Sequence, residues 1–365
     1  MPSKPRILVL HDYFAIRGGG EQLVLALCAG LGADLCTAYW TPESLDRPSD
    51  LRVHLLSDKA PQGRGQFFQL RKWFMKRTDF MSEYDIFIYS GQCSLFARNK
   101  HRLGTHILYC HTPPRYVFDQ RAFFRQQIRR SRRWLYDLTM SYIGWLYKKT
   151  LQNMHGIVSN AKNIQQRLKK FVGFDSTVVY PPIDTTRFQW LGQRNYYLSF
   201  ARLDHLKRVH LIVEAFQQMP EKRLVVISGG PEENKLREMA QRYPNIQILG
   251  WQSNEAMAEW VGNCIATLYI PIDEDFGMSA VESMAAGKPV IGCKEGGLLE
   301  TIQDQKTGLL INSPPSVPEL IHAIQILTPE KALTMRDSCE RWADNFSTEH
   351  FIAGMRAFID KHHHQ

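Results

Sequence analysis

Short apolar runs alternate with segments of helical spacing in both halves of the chain. In the first half the runs predict buried strands at 7–10, 85–89, 106–109 and 156–159, with a helix at 21–31. In the second half strands are predicted at 196–200, 223–227, 246–249, 266–270, 289–291 and 308–311, and helices at 209–218, 232–242, 253–261, 279–286, 298–303 and 317–327. The alternation predicts an α/β fold with helices on both faces of parallel sheets.

The length of 365 residues favours two domains over a single core. A boundary is predicted at Pro181-Pro182, because the proline pair fixes an extended backbone and prevents a helix from continuing. We therefore expect an N-terminal domain of residues 1–183 and a C-terminal domain of residues 184–348. The first apolar run is too short for a signal peptide, and no run of about 18 apolar residues predicts a transmembrane helix.

Composition and charge narrow the function. An apolar content of 44% and a charged content of 22% are typical of a folded globular protein. The net charge of +9 favours an anionic partner, such as a nucleotide, a phospholipid surface or a nucleic acid. The 7 cysteines are scattered and form no Cys-x-x-Cys pair, which predicts reduced core residues in a reducing compartment and no structural zinc site.

Two carboxylates flank a Phe-Gly step in the segment 274–282. Glu274 should lie in the turn after the strand 266–270, and Glu282 one to two turns into the next helix. Backbone N–H groups at that helix start are free to bind a ligand, and the two carboxylates would accept hydrogen bonds from hydroxyls. The pattern suggests a polyol ligand, that is, a sugar and a ribose. On spacing alone, an acidic first turn that the helix dipole favours is the preferred interpretation.

Two cations, Arg202 and Lys207, follow the first strand of the second half. A guanidinium and an ammonium at the carboxyl end of a strand are typical of a diphosphate site. The alternative is a pair of solvated loop cations.

The first strand of the N-terminal half leads into a glycine-rich turn. Gly19, Gly20 and Glu21 open a helix, where glycines let the backbone approach a ligand, although such a turn also simply joins a strand to a helix. Asp12 precedes this turn and would line the same cleft. His111 ends the strand 106–109 before a proline pair, and a lone histidine at such a place is often only structural.

These strings together resemble a known family. The segment 274–282 resembles the donor-binding signature of retaining glycosyltransferases of family 4, and residues 295–302 resemble its continuation. The Ala-Arg-x-x-x-x-Lys string at 201–207 and the Tyr-Pro-Pro-x-Asp linker at 180–184 are similar to that family's motifs. The resemblance implies the GT-B architecture, two doubly wound Rossmann-like domains facing across a cleft. It also implies a last helix, 349–361, that returns to the N-terminal domain.

The resemblance further implies a retaining, metal-independent hexosyltransferase that needs no cofactor, with a nucleotide-diphosphate sugar as co-substrate. The catalytic residues that it implies are Glu274, Arg202, Lys207 and His111. The donor-binding residues are Glu282, Phe276, Gly277, Met278, Gly19, Gly20 and Gly230. Asp12 and Glu21 are expected on the acceptor side. An Asp-x-Asp string at 273–275 overlaps the first glutamate of the signature, and we expect no catalytic metal there.

The substrate is suggested by two further likenesses. The His-Thr-Pro segment at 111–113 and the Gly-Gly-Gly-Glu loop at 18–21 resemble mannosyltransferases that use GDP-mannose and build bacterial surface polysaccharides, including lipopolysaccharide. They imply transfer to a glycan or a polyprenyl-diphosphate-linked acceptor, while UDP-sugars remain open as donors. Two alternatives stand beside this interpretation: a nucleotide-sugar epimerase on the same fold, and a non-catalytic basic scaffold that binds membrane or nucleic acid.

Much of the positive charge lies in two segments, 64–77 and 121–149, where cations are interleaved with Trp, Phe and Tyr. This composition fits an anionic membrane surface. The alternative is a solvated cationic face with the aromatic residues in the core; the membrane surface is favoured because it explains both segments on one domain and fits a lipid-linked acceptor. No known nucleic-acid-binding module occurs, and we expect no nucleic-acid partner. The expected location is cytoplasmic, peripheral on the inner face of the cytoplasmic membrane.

Overall fold

The computed structural model describes residues 5–16, 18–62 and 65–363. The chain divides into two compact units, an N-terminal unit of Met1–Pro181 with Phe351–Gln365 and a C-terminal unit of Pro182–His350. The division falls within the predicted Pro181-Pro182 pair, two residues before the predicted domain end at residue 183. Within the described residues, the predicted strands and helices of both halves are present, with bounds that differ by two residues or fewer.

The N-terminal unit is built on a seven-stranded parallel sheet in the order β3-β2-β1-β4-β5-β6-β7. Its strands are β1 Ile7–His11, β2 Asp34–Thr37, β3 Val53–Leu55, β4 Ile86–Ser90, β5 Thr105–Cys110, β6 Gly156–Ser159 and β7 Thr177–Val178. Every residue of β4 and β5 is buried. Helices cover both faces of such a sheet, which explains why these strands are apolar throughout.

The α-helices of this unit before Pro181 are α1 Gly19–Leu31, α2 Gln66–Lys76, α3 Arg121–Gln126, α4 Arg133–Leu151 and α5 Lys162–Arg167. Helix α1 ends at Gly32, whose left-handed backbone (φ 66°) is the conformation that favours glycine at a helix end. The N-cap Gly18 has no side chain to cap α1; the Glu21 carboxyl accepts hydrogen bonds from the N–H groups of Glu21 and Gly18, so those of Gly19 and Gly20 remain available.

The C-terminal unit is built on a six-stranded parallel sheet in the order β10-β9-β8-β11-β12-β13. Its strands are β8 Tyr197–Ser199, β9 Leu224–Ile227, β10 Ile246–Gly250, β11 Thr267–Tyr269, β12 Val290–Cys293 and β13 Gly308–Ile311. Its helices are α6 Val209–Gln217, α7 Glu233–Ala240, α8 Asn254–Asn263, α9 Met278–Ala285, α10 Leu298–Thr301, α11 Val317–Ile326 and α12 Pro329–Ala343. A capping box of Ser316 and Glu319 begins α11 and satisfies the free donors there.

The last helix, α13 Thr348–His363, begins in the final residues of the C-terminal unit and continues in the N-terminal unit. Its buried residues Phe351, Met355 and Phe358 belong to the core of the N-terminal unit. The ring of Phe351 packs edge-on against Tyr109 of β5, with centroids 5.7 Å apart.

In each sheet the chain order reverses between the first and fourth strands of its unit, β1 with β4 and β8 with β11. Doubly wound sheets bind ligands outside the carboxyl ends of the strands at this point, because the connections diverge to opposite faces there and leave a crevice. Each unit therefore has one place where a site is expected.

Candidate active site

In the C-terminal unit, Lys207 and Glu274 meet at the switch point. Lys207 follows β8, Glu274 follows β11, and Lys207 Nζ lies 2.6 Å from Glu274 Oε2. The two side chains are 21% and 20% exposed, so the pair is shielded but still accessible to a ligand. The structure thus brings together two of the residues predicted to act on the donor.

Tyr269, the last residue of β11, contacts Lys207 of this pair. Its hydroxyl lies 3.1 Å from Lys207 Nζ, and the ammonium lies over its ring, 5.3 Å from the centroid. Burial raises the pKa of Tyr269 well above its ordinary value, and the Glu274 carboxylate adds to this effect. The phenol therefore stays neutral and orients Lys207. Tyr269 was not predicted from the sequence. It ends the strand before the segment 274–282, and that position could have indicated a place in the site.

Arg202 lies in the same loop as Lys207 but does not join the pair. Its side chain is 61% exposed, and its Nε lies 3.9 Å from Asp204 Oδ2. An exposed guanidinium on a loop is free to reorient toward an anion, whereas Lys207 is already fixed.

Glu282 occupies the second turn of α9. It is partly exposed, and among the described residues no hydrogen bond to its carboxyl group occurs. Desolvation raises the pKa of Glu282 to about 7, against a smaller lowering by Arg187. The carboxyl is therefore close to half ionised at neutral pH, and it is available to accept hydrogen bonds from ligand hydroxyls.

The start of α9 lies directly after Glu274. Phe276 is buried and packs on Phe346 at 5.5 Å between centroids. Gly277 is the N-cap, with a left-handed backbone (φ 97°), and no side chain caps the helix that begins at Met278. The first N–H groups of α9 are thus open to an anionic or hydroxyl ligand.

Two glycines hold the Glu274 turn from the loop after β12. The Gly297 N–H donates to the Glu274 carbonyl oxygen at 2.7 Å. A Cβ at Gly297 would lie 2.5 Å from Phe276 Cα, and one at Gly296 (φ 57°) would overlap the Glu274 carbonyl oxygen. Only glycine permits this approach, so the Glu-Gly-Gly string at 295–297 supports the position of Glu274.

Gly230 likewise allows two loops to approach each other closely. A Cβ there would overlap the Leu203 carbonyl oxygen. The Leu203 N–H donates to the Gly229 carbonyl at 3.0 Å. Gly230 therefore lets the loop after β9 pack against the loop that carries Arg202 and Lys207. This contact explains the glycine without a ligand, and its predicted donor-binding role stays a prediction.

In the N-terminal unit, a cavity of about 280 Å³ lies at the carboxyl ends of β1, β4 and β5. His11, Asp12, Glu21, Ser90 and His111 are among the residues that line it. His111 Nε2 lies 2.7 Å from Ser90 Oγ, and His11 Nδ1 donates to the Ser90 carbonyl oxygen. The cavity thus collects the residues predicted around the N-terminal switch point, together with Ser90, which the sequence analysis did not identify.

Burial sets the charge states in this cavity. Desolvation, with a contribution from His11, lowers the pKa of His111 to about 3, so its imidazole is neutral at physiological pH. Desolvation raises the pKa of Glu21, although His11 and the backbone N–H groups of Glu21 and Gly18 lower it in part. A neutral histidine and an acid that line the same cavity are suited to hydrogen bonding with sugar hydroxyls.

Asp12 is engaged in holding the protein itself. Its Oδ1 accepts hydrogen bonds from the N–H groups of Cys93 and Ser94 at 2.8 and 2.7 Å, and its Oδ2 accepts one from Gln92 at 2.8 Å. The carboxylate thereby fixes the loop after β4. It lines the cavity, and its predicted acceptor-side role stays a prediction.

The predicted glycine-rich turn lies at the start of α1. Gly19 and Gly20 are the first two residues of the helix. A Cβ at Gly20 would lie 3.9 Å from His111 Cε1, so this turn faces the histidine closely. The arrangement brings the uncapped N–H groups of α1 next to the cavity.

The segment 121–149 presents aromatic and cationic side chains on its surface. Helix α4 buries one side, including Ile143 and Tyr147. A second side is exposed; we call it the α4 face and define it by Trp134, Leu138, Tyr142 and Trp145, which are 63%, 61%, 47% and 54% exposed. Arg129, Arg130 and Arg132 are exposed just before the helix. The helix is therefore apolar on two sides, and only one of them is covered.

The segment 64–77 contributes less to this surface. Trp73 and Phe74 are buried in the unit's core, and Arg64 lies outside the described residues. Phe68 is exposed and stacks near Tyr142, with centroids 6.5 Å apart. It therefore extends the α4 face. In the ranges 5–16, 18–62 and 65–363, no helix is long and apolar enough to cross a membrane.

Known proteins resemble this chain in sequence and in fold. Residues 183–346 match the family model described as "Glycosyl transferases group 1". The chain is 24% identical over 416 residues to the human alpha-1,3/1,6-mannosyltransferase ALG2, covering 98% of this chain and 96% of that protein. It is 25% identical over 236 residues to a Dictyostelium discoideum GDP-Man:Man(3)GlcNAc(2)-PP-Dol alpha-1,2-mannosyltransferase, covering 54% and 46% of the two chains. The crystal structure of Anabaena HepE in complex with UDP and glucose matches with a TM-score of 0.76 at 17% identity, covering 98% of this chain and 100% of that one.

Proposed function

We propose that this chain, which is similar to the group 1 glycosyl transferases over residues 183–346 and to solved structures of the GT-B fold, transfers mannose from GDP-mannose, with retention of configuration, to a lipid-linked or polysaccharide acceptor. The predictions of a glycosyltransferase and of two Rossmann-like domains of the GT-B type are confirmed. The sugar, its nucleotide, the acceptor and the stereochemistry are the parts proposed here.

The observation that carries the proposal is the contact of Lys207 with Glu274 at the switch point of the C-terminal sheet. A donor sugar attached to a diphosphate presents hydroxyls to an acid and phosphate oxygens to a cation at neighbouring places. In the proposed site Glu274 accepts hydrogen bonds from the sugar hydroxyls. Lys207, joined by the exposed Arg202, neutralises the diphosphate.

The same groups explain the chemistry. As the bond from the anomeric carbon to the diphosphate oxygen breaks, negative charge collects on the leaving diphosphate, where Lys207 and Arg202 stabilise it. The acceptor oxygen forms its bond on the same face of the sugar, and its proton passes to the leaving phosphate oxygen. No enzyme base is needed. Removing one such electrostatic contact typically slows a reaction by about 100- to 1000-fold.

Further residues hold the two ends of the donor. Glu282 would accept hydrogen bonds from the ribose hydroxyls, and the open N–H groups at the start of α9 would bind the sugar or phosphate oxygens. His111, neutral because of its burial, would donate or accept a hydrogen bond with the transferred sugar. The N-terminal cavity with Glu21 would receive the acceptor.

The choice of mannose and GDP is supported by the names of the relatives, which include mannosyltransferases and one GDP-mannose-dependent enzyme. The HepE complex contains UDP, which keeps UDP-glucose as the second candidate donor. A thermal-shift panel of GDP, UDP, ADP and their sugars separates the two. We expect GDP and GDP-mannose to raise the melting temperature most; stabilisation by UDP compounds alone would contradict the choice of donor.

Transfer itself is tested with GDP-mannose and a polyprenyl-diphosphate-linked glycan. NMR of the product should show the anomeric configuration of the donor. An altered nucleotide sugar formed without acceptor would instead indicate an epimerase. Neither turnover nor donor hydrolysis would favour the non-catalytic scaffold. We also propose that no metal is required: activity in EDTA should equal that in magnesium, and activity restored only by added metal would refute this point.

We further propose that the α4 face binds an anionic membrane and so brings the enzyme to a lipid-linked acceptor on the cytoplasmic side. Tryptophan and tyrosine side chains suit the lipid interface, and neighbouring arginines suit anionic head groups. The Lys149 ammonium lies over the Trp145 ring, 4.9 Å from the centroid, so charge and aromatic surface meet on the same helix. This charge complementarity favours lipid over an uncharged protein partner.

Cosedimentation with vesicles of phosphatidylglycerol or phosphatidylcholine tests the membrane proposal. Binding should require the anionic lipid and should weaken when Arg129, Arg130, Arg132 and Arg133 are changed to glutamine, or Trp134 and Trp145 to serine. Trp251→Ser is the matched control, because Trp251 is 71% exposed but lies in the C-terminal unit. Equal cosedimentation of all variants, or dimerisation through this face, would refute membrane binding.

A further inference from the structure

Glu295 connects the two loops that carry Lys207 and Glu274. Its Oε2 lies 2.9 Å from Arg208 Nη1, and the two side chains are only 17% and 12% exposed. Its Oε1 accepts a hydrogen bond from the Asp273 N–H at 2.8 Å. Ser313 Oγ donates to Oε2 at 2.7 Å. Both carboxylate oxygens are therefore used within the protein, and Glu295 acts on its neighbours.

The residues that Glu295 contacts have an unusual backbone. Arg208 and Asp273 both adopt positive φ angles, 51° and 44°, which L-residues rarely adopt. Arg208 directly follows Lys207, and Asp273 directly precedes Glu274. Backbone strain of this kind persists only where the surroundings over-determine it, and it is concentrated at functional sites.

We propose that Glu295 is a positioning residue for the donor site. Through the Arg208 side chain and the Asp273 N–H it fixes the backbone next to Lys207 and next to Glu274, and so maintains their contact. The main chain joins the same two loops once more, because the Ile272 N–H donates to the Leu206 carbonyl at 2.7 Å. The inference rests on the proposed function in so far as the Lys207–Glu274 pair serves a diphosphate sugar.

A purely stabilising ion pair would have different consequences. Buried ion pairs often add little net stability compared with apolar residues, because desolvation offsets the attraction. Removing one partner leaves a buried charge, so Glu295→Ala alone confounds stability with position. The double variant Arg208→Gln/Glu295→Gln removes both charges and keeps an acceptor for the Asp273 N–H. Comparing it with Glu295→Ala separates the two effects.

Kinetics form the first part of the test. Glu295→Ala should lower kcat for transfer by about 100-fold, as expected when catalytic groups shift by about 1 Å, while KM for GDP-mannose changes less. The double glutamine variant should recover part of this loss. Glu340→Gln is the matched control: it removes a 2.8 Å ion pair to Arg336 in the same unit, on α12, and should keep full turnover.

Hydrogen exchange forms the second part and does not depend on turnover. In Glu295→Ala, peptides covering 203–208 and 271–277 should exchange faster, and the other strands of the unit should not. A wild-type protein that transfers no sugar would refute the proposed function, while exchange would still report on the two loops. Unchanged exchange, or a loss of kcat equal to that of Glu340→Gln, would overturn the positioning role.

Discussion

The titration of Glu282 gives the sharpest quantitative prediction. If its carboxylate accepts hydrogen bonds from the ribose, donor binding requires the ionised form. Desolvation raises the pKa of Glu282 to about 7 in the free protein. Lowering the pH through 7 should therefore weaken donor binding, because a proton must first leave the carboxyl group. The variant Glu282→Gln keeps the shape and an acceptor oxygen but has no proton to lose.

The size of the effect follows from the ionised fraction. With a pKa of about 7, this fraction is about 0.9 at pH 8 and about 0.1 at pH 6, so the apparent Kd should rise about tenfold between them. At pH 7, binding should release about half a proton. The direction of the pH effect is fixed. Burial raises the pKa of Glu282, so the carboxyl is partly protonated near neutral pH and must lose that proton before it accepts hydrogen bonds from the ribose hydroxyls.

Calorimetric titration of GDP-mannose measures both quantities. Titrations at pH 6, 7 and 8 give the Kd, and buffers of different ionisation enthalpy give the proton release. Each phosphate of the sugar nucleotide carries one ester and one anhydride bond and has no second ionisation, so the ligand itself does not titrate in this range. A Kd that is constant from pH 6 to 8, or a slope that persists in Glu282→Gln, would refute the assignment of Glu282.

Two further predictions address the geometry and the histidine. Gly297→Ala should lower kcat by about 100-fold and also lower the melting temperature, because its Cβ would lie 2.5 Å from Phe276 Cα and would displace the Glu274 turn; wild-type turnover would show that the turn is not constrained. Since burial lowers the pKa of His111 to about 3, His111→Asn should slow transfer but leave the acidic limb of the pH–rate profile between pH 5 and 8 unchanged; loss of that limb in the variant would identify His111 as the titrating group.

The sequence predicted those parts of the site whose signals are local. Lys207 and Glu274 each follow a strand end, and the structure brings them together at the switch point. Ser90 of the N-terminal cavity was missed, and so were Tyr269 and the proposed positioning role of Glu295, which in the C-terminal unit depend on contacts between loops. Their proximity depends on the strand order β8-β11-β12, which no local pattern encodes. Roles for the predicted residues stay predictions until they are measured.

In the fold, as in the site, the sequence predicted the elements that have a clear local pattern. Most central strands were found because burial on both faces makes them continuously apolar. In the N-terminal unit β2, β3 and β7 were missed; they have only four, three and two residues, and β3 and β7 are partly exposed. The helices α2 to α5 of the N-terminal unit were not predicted, and neither was α12, although α12 has a readable start with Thr328 as N-cap and Pro329 in the first turn. A closer use of capping signals would have identified it.

The contact of Lys207 with Glu274 is the basis of the whole account, and single-turnover transfer from GDP-mannose tests it most directly. Lys207→Ala and Glu274→Ala should each lower the rate by at least about 100-fold while the circular dichroism spectrum at the assay temperature stays that of the wild type. Lys306→Ala, an exposed lysine of the same unit, should keep the full rate. A near-wild-type rate in either site variant would contradict the assignment of the donor site.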